Sequence, residues 1–185
     1  MKHRTITLAV AAAVTIAVAC SKDSTTAPAT TTTGTTPTTP TTPVNTVVNL
    51  RATMTGANEN PANTSTGTGT FTATLDTATN LLTYDITFSG LTTPVNNGHI
   101  HGPAATATTN AGTTINFNTQ PGATFSLGAT GGTAHGIALL VSGTQITATI
   151  NGDSLKKLLL AGLTYANIHT TQNPGGEIRG TITRQ

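Results

Sequence analysis

Three histidines and one acid–base pair carry most of the chemistry open to this chain. His99 and His101 bracket Ile100, His169 lies far downstream, and Glu177 and Arg179 bracket Ile178 just beyond it. Two histidines at i and i+2 on a strand share one face, about 7 Å apart by the strand rise. Their imidazoles can converge on one ion, with His169 or Glu177 completing a tetrahedral set of the kind that suits Zn or Cu. The preferred reading needs no ion and expects no cofactor: the rings hydrogen-bond backbone and side chains, pinning the loop after Leu91 to the C-terminal hairpin. Spacing leaves both open, because it does not say that the two segments are neighbours. Glu177 and Arg179 read first as a solvated pair on an exposed strand, worth at most about 1 kcal/mol. The alternatives are a polar network with the histidines, or a partner contact.

A period of two places these side chains. In the segment Tyr165 to Thr170, Tyr165, Asn167 and His169 share one face while Ala166 and Ile168 share the other, so Ile168 points to a core and His169 away from it. Asn173, Pro174, Gly175 and Gly176 supply the turn, and Ile178 and Ile182 keep the apolar phase on the return arm. Upstream, Leu50, Ala52 and Met54 alternate with polar residues, as do Phe71, Ala73 and Leu75, and then Leu82, Tyr84, Ile86 and Phe88. The stretch from Asp76 to Asn80 joins the last two runs as a hairpin, and the many threonines favour strands.

Ile115 to Phe117, Ile137 to Val141 and Gln145 to Ile150 are further strand candidates. From Ala104 to Gly132 the Gly, Thr and Asn content predicts a long loop with at most one strand. Asp153 to Ala161 is predicted to be a crossover helix, with an acidic cap ahead of Leu155, Leu158 and Leu159 and a stop at Gly162. Lys156 and Lys157 then form its wet side, Asp85 faces solvent, and His135 stands at a strand start on the surface. The expected fold is mainly β, an antiparallel sandwich or barrel with one short crossover helix.

The N-terminal portion speaks about location. Lys2 and Arg4 precede an uncharged apolar run from Ile6 to Ala19, too short to span a bilayer and ending in small residues before Cys20. This resembles a bacterial lipoprotein signal (residues 1–19), in which Cys20 is acylated and becomes the first mature residue; an ordinary secretory signal with an incidental cysteine is the alternative. Residues 20–46 then form a Thr/Pro-rich linker with nothing to bury, an extended tether. Cys20 is the only cysteine, so no disulfide forms within the chain. On this reading, lipid chains hold the protein to the cell envelope.

Residues 47–185 have the size of one domain. In them Arg51, Lys156, Lys157, Arg179 and Arg184 balance Glu59, Asp76, Asp85, Asp153 and Glu177, and the formal +2 comes from the leader. There is no basic footprint for nucleic acid, and the few aromatics give no stacking platform. Catalytic patterns are equally thin: no serine sits in a Gly-x-Ser-x-Gly context, and no Gly-rich phosphate cradle opens a helix.

Gly98 through Pro103, Leu160 to Gly162, and Tyr165 to Gly180 resemble the CHRD domain, a family named after chordin and found also in bacterial secreted proteins. Leu50 through Glu59, Pro61, and Gly67 through Gly90 fit its opening strands. The resemblance implies an immunoglobulin-like or related β-barrel fold and, as in chordin, an extracellular binding role. A His-x-His strand in a secreted β-barrel is also similar to copper/zinc superoxide dismutase, the main enzyme alternative. That site needs more ligands than the four histidines left once His3 is set aside, and its disulfide cannot form. The expectation is therefore a lipid-anchored, envelope-exposed, non-catalytic binding module with an envelope protein or glycan as ligand. The alternative is a mononuclear Cu- or Zn-binding protein or metalloenzyme using His99, His101 and His169.

Overall fold

Alternation in the sequence becomes alternation in burial. The computed structural model describes residues 45–185; the leader, Cys20 and the linker up to residue 44 lie outside the described residues. The elements are β1 (Val47–Thr55), β2 (Thr68–Asp76), β3 (Leu81–Ser89), β4 (Val95–His101), β5 (Thr113–Asn116), β6 (Thr124–Phe125), β7 (Gly132–Leu139), α1 (Gly152–Ala161), β8 (Tyr165–Thr170), β9 (Ile178–Thr181) and β10 (Thr183–Arg184), with a 3-10 turn at Gly56–Asn58. In β1 to β3 the inward set is the one the alternation selects, with Leu50, Met54, Phe71, Leu75, Leu82, Tyr84 and Ile86 almost wholly buried. Burial of each such side chain contributes roughly 1.5–3 kcal/mol. Asn80 closes the β2–β3 hairpin in the left-handed region, at φ 59, a conformation asparagine tolerates better than most residues.

All strand pairs are antiparallel, and the strand order is β5-β4-β8-β9-β1-β2-β3-β7-β6, with β10 pairing β1. The sheet curls until its two ends meet. Phe117, just past β5, lies 5.2 Å from the Tyr84 ring of β3 and 6.2 Å from Phe125 of β6. Val95 of β4 exchanges backbone hydrogen bonds with Gly128 and Ala129 beyond β6, each at 2.9 Å. Gly98 is required where these rings cross β4: a Cβ there would stand 2.8 Å from Phe117 and 3.0 Å from Phe125. The mainly β, antiparallel expectation with one helix therefore holds, as one curled sheet around a single core.

Four local expectations are corrected. Residues Gln145 to Ile150 are not a strand but a turn closed by one bridge, Gln145 to Asn151. Thr147 Oγ1 accepts from the Thr149 and Ile150 amides, and the Ile146 and Thr147 amides both go to the Ile150 carbonyl, so local bonds take the donors a ladder would need. The segment from Ala104 to Gly132 holds two strands, β5 and the short β6, rather than at most one. The helix is capped by Asn151, whose Oδ1 accepts from the Ser154 amide at 2.9 Å. Asp153 sits in the first turn and accepts from Ser142 Oγ, while Gly162 ends the helix at φ 72. His135 stands in the middle of β7, on the surface, with Nδ1 2.8 Å from the Asp85 carboxylate.

Candidate functional site

Strand register brings the distant histidines together. β4 and β8 pair antiparallel with Asn97 opposite His169, His99 opposite Asn167 and His101 opposite Tyr165. Ile100 and Ile168 face the core and are fully buried, so the three histidines stand on the opposite face of the same strand pair. One ring nitrogen from each of His99, His101 and His169 lies within 4.8 Å of the others. His99 Nδ1 is 3.1 Å from His169 Nε2. The ring centroids of His99 lie 5.2 Å from His101 and 4.9 Å from His169.

Two backbone carbonyls decide which nitrogens remain free. A carbonyl only accepts, so His101 Nδ1 donates to Ala111 O at 2.9 Å and His169 Nδ1 donates to Pro174 O at 2.9 Å. Each ring, when neutral, then carries its lone pair on Nε2. His101 Nε2 is buried and has no hydrogen-bond partner. Burial, followed by the neighbouring His169 and His101, pushes His99 down to about 4. Burial likewise pushes His101 down to about 4 against the pull of its Ala111 bond, with His169 and Arg179 adding to the depression. His169 is lowered mainly by burial. At neutral pH all three imidazoles are uncharged, the form that ligates metals.

The three rings form a group that could hold a metal ion. Nitrogens bound tetrahedrally at about 2.0–2.1 Å stand roughly 3.3 Å apart, close to the 3.1 Å between His99 Nδ1 and His169 Nε2, and His101 offers a nitrogen within 4.8 Å of both. Carbonyl acceptors on the far nitrogens are the usual outer support of metal-binding histidines.

Glu177 and Arg179 depart from the expected solvated pair. Both are fully buried, at 0% and 1% exposure, and they are not bonded to each other. The ligand atoms that converge within 4.8 Å come from the three histidines, and the Glu177 carboxylate is instead bonded to hydroxyls and an amide. It accepts from Ser65 Oγ (2.6 Å), Thr92 N (2.6 Å), Thr92 Oγ1 (2.9 Å) and Thr170 Oγ1 (2.6 Å). Burial alone would push it up, but these bonds outweigh burial and hold it below its ordinary value. Arg179 donates to Asn110 Oδ1 (2.8 Å), Thr109 O (3.0 Å) and Ala107 O.

Glu177 is covered by the segments that carry Ser65 and Thr92, and Arg179 by a strap, residues 104–112, that folds back over it. The strap is tied by Ala104 N to Leu163 O, by the side chain of Asn60 to Thr108 O, and by that of Asn110 to Asn60 O. Asn167, 2% exposed, lies beneath it and donates to Glu59 Oε1 at 2.6 Å. Composition marked this segment as a loop, and nothing in its Gly and Thr content says where a loop lies.

Glu59 was no part of the sequence-derived site, and it titrates unusually. Burial pushes its carboxyl from 4.5 up to about 7, only partly offset by the Arg179 charge and by bonds from Asn167 and the Asn60 backbone. The folded protein thus holds a proton that the unfolded chain releases near pH 4.5, so the contribution is full below pH 4.5 and lost as pH rises through about 7. Glu59→Gln is expected to exceed wild-type stability at pH 8 by about 1–3 kcal/mol, and to differ little at pH 4, in urea unfolding. An equal effect at both pH values would contradict this.

A protein-family model, the CHRD domain, matches residues 50–182. No curated protein and no solved structure matches the chain.

Proposed function

The chain belongs to the CHRD domain family, and from that premise we propose a binding module whose ligand is a transition-metal ion held by His99, His101 and His169. The observation that carries this is the buried, unpartnered Nε2 of His101 beside two further neutral imidazoles. A buried acceptor without a donor is costly, and an ion supplies what the site lacks. An all-imidazole set suits Zn and Cu and suits Mg and Ca poorly, since the latter prefer oxygen. The carbonyl bonds of His101 and His169 belong equally to the reading in which the rings only pin loop to hairpin. What the pinning reading does not use is His101 Nε2, which is left buried without a partner. Calorimetric titration of the purified protein with Zn²⁺ should give one site per chain that survives excess Mg²⁺. No saturable heat with either Zn²⁺ or Cu²⁺ would remove the metal reading.

We place the module at the cell envelope, tethered through lipid on Cys20 and the Thr/Pro-rich linker. The support is the leader: positive residues, an apolar stretch and small residues before Cys20. No helix among the described residues is long and apolar enough to cross a membrane. Cys20→Ala is expected to abolish incorporation of labelled palmitate and to shift the protein from the membrane to the soluble fraction. Unchanged labelling would count against the anchor.

A further inference from the structure

We propose that Tyr165 and Arg179 are positioning residues of this metal site and that both act through His101; the inference rests on the metal-binding reading above. His101, Tyr165 and Arg179 occupy three adjacent strands, β4, β8 and β9. The His101 imidazole stacks on the Tyr165 ring, with centroids 4.8 Å apart and planes 4° from parallel. The Arg179 guanidinium carbon stands 3.9 Å from the centre of the same ring, within cation–π range.

The same tyrosine also governs the edge of the imidazole. Tyr165 Oη accepts from Ala111 N at 3.2 Å and lies 3.4 Å from Ala111 O. Ala111 O is the atom that accepts the His101 Nδ1 proton. One residue therefore supports the face of the ring and also clamps the peptide group that orients its edge. A ring held at face and edge has little freedom to swivel, and its Nε2 keeps a fixed direction.

Arg179 completes the clamp by holding the strap itself. Its fork holds Ala107 O, Thr109 O and Asn110 Oδ1, the residues leading directly into Ala111. Those acceptors come from a segment with no strand or helix of its own, so the planar guanidinium fixes their relative positions. Burying this cation is unfavourable by itself: among the described residues it forms no ion pair with a carboxylate. An apolar residue of similar volume would cover the core as well. It would not hold three acceptors in one plane, nor would lysine, which lacks the fork.

Loss of such outer support typically weakens metal binding by about 10- to 100-fold. Tyr165→Phe keeps the stack and removes the hydroxyl clamp, while Arg179→Lys keeps the charge and removes the fork. The test measures Zn²⁺ affinity of the full chain by competition with a chelating dye, for each variant alone and combined with His101→Ala. Each single variant should bind about 10- to 100-fold more weakly than wild type. In the His101→Ala background each should change affinity less than about threefold, because the residue it positions is already gone. Arg179→Lys that unfolds is read through Tyr165→Phe, whose fold is checked by circular dichroism. Single variants with wild-type affinity, or equal losses with and without His101, would overturn the inference while leaving the metal site standing. A wild-type chain that binds no Zn²⁺ overturns the site itself, and the positioning roles with it.

Discussion

Alanine at His101 is expected to weaken Zn²⁺ or Cu²⁺ binding by about 10²- to 10³-fold. Structural zinc sites of about four ligands contribute roughly 10–16 kcal/mol, so one imidazole accounts for about 3–4 kcal/mol, at 1.4 kcal/mol for each factor of ten. His101 is the most informative of the three because its Nε2 is buried and unpartnered while its Nδ1 is committed to Ala111. The same variant has a signature in acid. A histidine whose folded pKa is depressed from 6.5 to about 4 contributes fully above pH 6.5, and the contribution is lost as pH falls through 4. Wild type should therefore lose more stability than His101→Ala between pH 7.5 and pH 4.5, by about 1–3 kcal/mol for this one 9%-exposed group. Urea unfolding of the metal-free proteins at the two pH values reads that difference; parallel losses, or wild-type metal affinity in the variant, would refute the assignment.

Glu177→Ala is expected to destabilise the fold by about 3–5 kcal/mol without supplying or removing a metal ligand. The substitution strands the hydroxyls of Ser65, Thr92 and Thr170 and the Thr92 amide, all of which now point at one fully buried carboxylate. Uncompensated buried donors cost about 1–3 kcal/mol each, less whatever water recovers. Glu177→Gln retains one acceptor oxygen and should cost roughly half as much while keeping one Zn²⁺ per chain. Because the folded carboxyl is held below its ordinary value, its contribution is present above pH 4.5 and fades as pH falls further. The urea midpoint checks the cost. A loss under about 1 kcal/mol for Glu177→Ala would mean that the network is not a stabilising element.

The strands around the core were legible because β1 to β3 each bury one face, and a half-buried strand writes a period of two into its residues. The same logic read His99, His101 and His169 onto the face opposite Ile100 and Ile168. Their meeting depends on β4 pairing with β8 across some 70 residues of chain, which no local pattern encodes. Glu177 and Arg179 were misread for a different reason. Their alternation with Ile178 is correct, yet alternation reports which face a side chain takes and not what covers that face. Over Glu177 the cover is the loops that carry Ser65 and Thr92, and over Arg179 it is the 104–112 strap, whose composition resembles that of any exposed loop. Its long-range ties run through Asn60, Asn110 and Arg179, residue types common on surfaces. Gln145 to Ile150 fails in the other direction, since Thr147 captures backbone amides locally that the apolar pattern would assign to a ladder.

The central claim is that three neutral imidazoles from β4 and β8 share one ion. X-ray absorption at the zinc edge of the protein, loaded to one equivalent and washed, tests it most directly. The account predicts nitrogen scatterers at about 2.0–2.1 Å with the outer-shell pattern of three imidazoles, falling to two in His101→Ala. A shell of oxygen alone, an imidazole count unaffected by that substitution, or no retained zinc would contradict it.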